Sequence, residues 1–432
     1  MSLRRREIFG MAAVGAAGVM SSPALARTRR AFPPGFLWGT SGAAYQIEGG
    51  NVGSDIWVLE HVKPGIFAAP SGDAADSYHR YAEDIALAAA LGFNSHRLSI
   101  EWARIEPARG QISRAALDYY RGVLKTCRKH GLAPVVTFNH YSVPAWFAAA
   151  GGFAQPDGAR IFADYCRIVT EHMGDLIAVA ATFNEPNVAT VVRWDGSLAK
   201  YKPIIAAVQK AAGAATGAPD WASPLLAGES QHAAIADAHA AAYAAVKLAS
   251  ANRLPVGITL AVPADRPAGP DSGIARKNAE MLDRWLAGPG DFVGVQSYTG
   301  SAVGPDKDLP HAPEEELTQM GYAFRPDAIE GAIRLVASRT KRPIYVTENG
   351  VATEDDTRRI AYIKGAVAGV ERCLADGIDV RSYIHWSLLD NWEWMSGYRP
   401  KFGLVAVDRE TFKRTPKPSA KFLGGIARAG GL

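Results

Sequence analysis

Cysteine is scarce: Cys127, Cys166 and Cys373 are the only three in 432 residues, an odd number at wide spacings. Such usage argues against a disulfide framework or a cysteine metal site, and helix-like apolar surroundings suit three small buried thiols. Long hydrophobic runs are missing too. No segment after the N-terminal region reaches 18 uninterrupted apolar residues, so no transmembrane helix is expected. The body of the chain has no block of lysines and arginines. The formal net charge is only +4, and three arginines and one glutamate fall within residues 1–26. That balance leaves no electrostatic footprint for nucleic acid. Charged residues make up 21% and hydrophobic residues 48%, which is too apolar for disorder and ample for one large core.

The N-terminus has a distinct composition. Arg4-Arg5-Arg6 opens it, a small apolar run follows from Gly10 to Met20, and Ala24-Leu25-Ala26 offers a small-x-small site. Residues 1–26 therefore read as a cleaved export signal of the twin-arginine type. The expected mature protein spans 27–432 and is periplasmic or secreted.

Two later segments share one form. Ile344-Tyr345-Val346-Thr347 reads as a short buried strand that ends at Glu348, and Asn349-Gly350 then turns the chain. Val179 to Phe183 reads the same way, with Asn184-Glu185 at its end and Pro186 to stop it. Each glutamate would stand at the C-terminal end of a strand, where a parallel α/β barrel keeps its chemistry. Taken singly, a glutamate after a strand is most often a solvated loop residue or a helix-start charge.

The remaining elements alternate. Strands are expected at 36–40, 95–100, 133–138, 256–260, 291–298 and 380–387 besides the two just given. Helices are expected at 76–91, 115–129, 157–173, 223–250, 326–338 and 358–375. Asp195 to Pro219 is weakly patterned and reads as loop with some helix. Polar residues stand beside several strand ends: Gln46 after the first, His140 and Tyr141 after the third, Tyr298 after the sixth. Arg97 lies inside the second strand and needs an acidic partner there. His96 beside it reads as a packed barrel residue. Trp386 in the eighth strand and Trp392 and Trp394 after it are interleaved with polar residues such as Asp390, Asn391 and Glu393, which weakens a plain core-packing reading. His385 alternates with Trp386 and should face the other way.

Thr182-Phe183-Asn184-Glu185-Pro186 and Val346-Thr347-Glu348-Asn349-Gly350 resemble the acid/base and nucleophile motifs of glycoside hydrolase family 1, the β-glucosidase-like retaining enzymes. The resemblance runs from Phe32 to about Phe422 and takes in Ser41 to Gly49, Leu388 to Trp394 and Lys413 to Lys417. It implies a single (β/α)8 TIM barrel with Glu185 as acid/base and Glu348 as nucleophile. It implies that Gln46, His140, Asn184, Tyr298, Trp386, Glu393 and Trp394 bind the sugar or the nucleophile. Arg97 would support the ionised nucleophile.

On that reading the two carboxyl groups lie about 5–5.5 Å apart, the spacing for retention of configuration. The partner is a small-molecule β-glycoside, and no metal or cofactor is called for. Glu393 stands where relatives that cleave 6-phosphoglycosides usually have Ser, so an unphosphorylated sugar is expected. Tyr141, Asn187 and Gln296 depart from the family's usual Trp, aromatic and Asn. The segment between the fifth and sixth strands is short for the family, which would leave the mouth more open. Transglycosylation, cleavage of a larger plant phenolic glycoside or disaccharide conjugate, and sugar binding without catalysis are the alternatives.

Overall fold

The computed structural model describes residues 32–196, 201–226 and 228–432. The export signal expected over 1–26 lies outside the described residues. Eight parallel strands close into a barrel: β1 (Leu37–Ser41), β2 (Ser95–Ser99), β3 (Ala133–Asn139), β4 (Val179–Asn184), β5 (Val256–Ala261), β6 (Phe292–Gln296), β7 (Ile344–Asn349) and β8 (Val380–His385). Each pairs with its neighbours in the chain, and β1 closes on β8 through pairs such as Trp38 with Tyr383. This is the (β/α)8 TIM barrel.

The outer helices follow from local chemistry. In the helix Arg114–Lys129, Ser113 caps the start by accepting from the amide of Ala116 at 3.2 Å. Its buried residues Ala116, Leu117, Tyr120, Val123, Leu124 and Cys127 recur at helical spacing and face the sheet. The helix Ser77–Leu91 ends at Gly92, whose φ of 109° is a left-handed cap. The three cysteines are free and buried. No helix among the described residues is long and apolar enough to cross a membrane.

Two helical expectations shift. The segment expected to be mostly loop holds a regular helix, Lys202–Thr216, with Pro203 in its first turn and Gly217 at its end. Its alanines gave little periodicity to read. The long helix expected from Ser223 starts only at His232, after a 3-10 turn at Gly228–Gln231. Pro224 and Gly228 keep the earlier residues out of it.

Side chains of β3, β4, β6, β7 and β8 plug the lower barrel, where Val135, Val179, Phe292, Tyr345 and Ile384 pack together. Strict alternation from Tyr345 would send Glu348 outward with Val346. The register slips instead: Val295 pairs with Val346, but Gln296 pairs with Glu348. One extra residue on β7 turns Glu348 into the barrel, a bulge that re-aims a side chain. On β4, Ala181 pairs with Gly257 but Asn184 with Thr259. Thr182 bonds His239 on an outer helix, Phe183 packs on Phe162, and Asn184 swings inward.

Candidate active site

The sequence-selected residues converge at the C-terminal mouth of the barrel. Glu348 is 4% exposed. Its Oε1 is paired with Nη1 of Arg97, and its Oε2 accepts from Tyr298 Oη at 2.5 Å. Arg97 is 1% exposed and donates through Nη2 to Asn184 Oδ1 at 2.6 Å. Gln296 donates to the same Oδ1 at 2.9 Å. The buried cation on β2 thus has its acidic partner, and Gln296 holds Asn184 across the barrel.

Glu185 is half-buried and follows β4 with a φ of 41°. No ion pair reaches it among the described residues. Its Oε2 accepts from Tyr141 Oη at 2.6 Å. Burial and then the charge of Glu348 push Glu185 up to about 8, against smaller opposing effects of Tyr141 and Arg97. Burial pushes Glu348 up as well, but Arg97 and Tyr298 pull it back. The pair is therefore asymmetric: a cation and a phenol serve Glu348, and Glu185 is the better place for a proton.

A second cluster lies beside the pair. Gln46 Nε2 donates to Asn391 Oδ1 at 3.1 Å, to the Trp392 carbonyl at 2.9 Å and to Glu393 Oε2 at 3.3 Å. Gln46 Oε1 is buried with no hydrogen-bond partner among the described residues, an acceptor left open in this cluster. Glu393 Oε1 accepts from Trp386 Nε1 at 3.0 Å. Burial, reinforced by Glu348 and opposed by its own hydrogen bonds, raises Glu393 to about 7. The His140 ring lies nearly parallel to Trp386 at 5.6 Å and to Trp394 at 6.1 Å. Burial, with Arg97 nearby, keeps His140 neutral. These groups make one pocket wall of aromatic faces and hydrogen-bonding edges.

His96 and His385 stand apart. His96 packs against Thr40 and burial lowers it to about 4. His385 is fully buried, lowered to about 3 by burial and by Arg359 on an outer helix. Both are structural.

Next to Glu185 opens a cleft of about 490 Å³. Tyr141, Glu185, Val188, Val192, Leu225 and Met395 border it, so its walls are mostly apolar. A recess of about 450 Å³ near Arg121, Asp175 and Arg253 lies by the N-terminal ends of the strands, remote from the carboxylates.

Sequence reading missed the bond from Tyr141 to Glu185. Its signal was adjacency, since Tyr141 leaves β3 beside the strand that delivers Glu185. Asn391 was missed as a holder of Gln46. The substitution at Asn187 is structural: its amide donates to the carbonyls of Ala261 at 2.8 Å and Met281 at 3.3 Å, and its oxygen accepts from the amide of Ala261 at 2.9 Å.

A TIM barrel with paired glutamates at the ends of two strands, beside a wall of aromatic rings and hydrogen-bonding side chains, is the architecture of a glycoside hydrolase. The chain belongs to glycosyl hydrolase family 1, whose sequence profile matches residues 28–298 and 284–432, and it is an enzyme acting on O-glycosyl bonds. It is similar to β-glucosidase A of Thermotoga maritima, 29% identical over 93% of this chain and 98% of that protein. It is also similar to the thermostable β-glucosidase B of Thermobispora bispora, at 31% over 93% and 91%. Among solved structures, the apo β-glucosidase 1317 superposes with a TM-score of 0.91 at 56% identity, covering 92% of this chain and 99% of that one. The Thermotoga maritima β-glucosidase in complex with deoxynojirimycin gives 0.79 at 28%, over 93% and 99%.

Proposed function

We propose that the protein is a retaining β-glucosidase that hydrolyses unphosphorylated β-glucosides, or closely related β-glycosides, through a covalent glycosyl-enzyme. The observation that carries this reading is the asymmetry of the two carboxyl groups. Glu348 sits against a buried arginine and a tyrosine hydroxyl, while Glu185 is in no ion pair among the described residues and is pushed up to about 8. An ionised nucleophile and a protonated acid are what the first step needs.

In that step a Glu348 oxygen attacks the anomeric carbon. The bond from that carbon to the leaving oxygen breaks, and the leaving oxygen takes the proton of Glu185. In the second step Glu185, now a carboxylate, removes a proton from water. The water oxygen bonds to the anomeric carbon and Glu348 departs ionised. Gln46, His140, Glu393 and Trp394 would hold the sugar hydroxyls, with Trp386 under its apolar face.

The leaving group would point to the cleft beside Glu185. Its apolar walls favour aryl or other apolar aglycones over a second free sugar. Glu393 supports an unphosphorylated sugar, because a carboxylate in the pocket repels a phosphate. The names of the related β-glucosidases support glucose as the sugar.

We further propose that residues 1–26 are removed on export by a twin-arginine route, giving a periplasmic or secreted enzyme. N-terminal sequencing of the exported form tests that. Assay of the mature protein on aryl β-D-glucosides, galactosides and fucosides, with Glu348→Gln and Glu185→Gln alongside, tests the activity. Turnover that survives Glu348→Gln would remove the reading.

A further inference from the structure

The proton of an acid/base glutamate must sit on one of two oxygens, and only one of them faces the leaving group. At Glu185 the choice has a structural basis. Tyr141 Oη lies 2.6 Å from Oε2. The Tyr141 ring is held edge-to-face against His140 at 5.4 Å and Trp394 at 5.3 Å, with a backbone φ of 70°. It is thus fixed by two rings and by its own turn.

We propose that Tyr141 is a positioning residue for the proton of Glu185: its hydroxyl occupies Oε2, so the proton given to the leaving group resides on Oε1. The proposal rests on the reading of Glu185 as the acid/base group. A phenol has a single hydrogen to donate. Burial and the neighbouring Glu185 carboxyl hold Tyr141 well above its ordinary range, so that hydrogen stays on Oη through the working pH. Donation to a carboxylate also favours its ionised form. The same bond therefore serves the second step, in which Glu185 must act as base.

The charged and titratable groups around Glu185 come from every side of the mouth. Glu348 on β7 raises it, and Arg97 on β2 and Tyr141 after β3 lower it. Tyr298 after β6 and Tyr322 in the following loop feel its charge. Arg193, Lys202 and Glu229 border the cleft further out. Of these groups, Tyr141 is the one in hydrogen-bond contact with the Glu185 carboxyl.

Tyr141→Phe keeps the ring and removes the donor. The test compares phenyl β-glucoside, whose leaving oxygen needs a proton, with 2,4-dinitrophenyl β-glucoside, whose leaving group departs unaided. For the phenyl substrate, kcat/KM should fall about tenfold, the size of one charge-assisted hydrogen bond. Its basic limb should move up by about 0.5–1 pH unit. For the dinitrophenyl substrate, kcat/KM should stay within about twofold. Equal losses on both substrates with an unmoved basic limb, in a variant that melts normally, would mean a packing role and overturn the proposal. Glu185→Gln is run beside it. If that variant keeps full activity on the phenyl substrate, the acid/base reading fails and the proposal falls with it. If Glu185→Gln loses that activity but Tyr141→Phe shifts nothing, only the proposal fails.

Discussion

Arg97 donates to Asn184 Oδ1 at 2.6 Å, while its other terminal nitrogen is paired with Glu348. One buried cation on β2 thereby ties the segment carrying Glu185 to the carboxylate on β7. Removing either partner of a buried pair leaves an uncompensated charge. Arg97→Met should therefore raise the acidic limb of the pH profile, because Glu348 loses the largest influence opposing its burial. It should also lower kcat/KM for an aryl β-glucoside by at least about 10²-fold. A pH–rate profile of the variant checks both, and an unmoved acidic limb contradicts this role.

The wild-type profile has a defined sign at high pH. Glu185 is protonated below about 8 and loses its proton above it. Activity on substrates that need an acid should fall as the pH rises through that value. The basic limb of kcat/KM for phenyl β-glucoside should be absent for the dinitrophenyl analogue. A basic limb shared by both substrates belongs to some other group.

Stability should fall with pH for a separate reason. Glu101 is buried and raised to about 8, chiefly by desolvation and the charge of Glu48, despite accepting from Ser142 at 2.8 Å. Its folded value lies above the unfolded value of about 4.5, so between them the native state holds a proton that the unfolded state releases. Stability from this group is complete below about 4.5 and is lost progressively as the pH rises toward about 8. Melting temperatures of wild type and Glu101→Gln across that window should converge at the acidic end and separate at the alkaline end, with the variant the less pH-dependent. Parallel curves contradict the assignment.

Glu393 should act through binding. It accepts from both Trp386 and Gln46 and faces the wall taken to hold the sugar. Glu393→Ser should lower kcat/KM for the glucoside by about 10–10²-fold, the range for hydrogen bonds to a charged group. The loss should shrink for the deoxy-glucoside lacking the hydroxyl it contacts. An equal loss for the 4-deoxy and 6-deoxy analogues would point away from direct contact.

Asn187 is fully buried and its bonds run to backbone groups of β5 and of the helix Ile274–Ala287. Asn187→Ala should destabilise the fold by about 1–3 kcal/mol, because those groups are left unpaired. Leaving-group preference in the surviving enzyme should be unchanged. Thermal melting and a small substrate panel check this.

Much of the site could be read from the sequence because it sits at strand ends. Glu348, Asn184, Glu185, His140 and Tyr298 each follow a β-branched or apolar run, and the barrel gathers such ends at one mouth. Arg97 announced a partner by being charged inside a strand. The register slips were not legible, since alternation alone sends Glu348 outward and only the pairing of Gln296 with Glu348 turns it in. The helix Lys202–Thr216 was hidden because an alanine-rich segment carries little amphipathic contrast. The Tyr141–Glu185 bond joins two strands' loops, and no spacing within either reveals it.

In the proposed mechanism Glu348 attacks the sugar and carries it. The most direct measurement incubates the enzyme with 2,4-dinitrophenyl 2-deoxy-2-fluoro-β-D-glucoside, whose glycosyl-enzyme hydrolyses slowly, and maps the adduct by peptide mass spectrometry. One 2-fluoroglucosyl group per chain is expected, on the peptide containing Glu348, and none in Glu348→Gln. An adduct on another residue, or turnover of ordinary aryl glucosides with inverted product and no adduct, would contradict it.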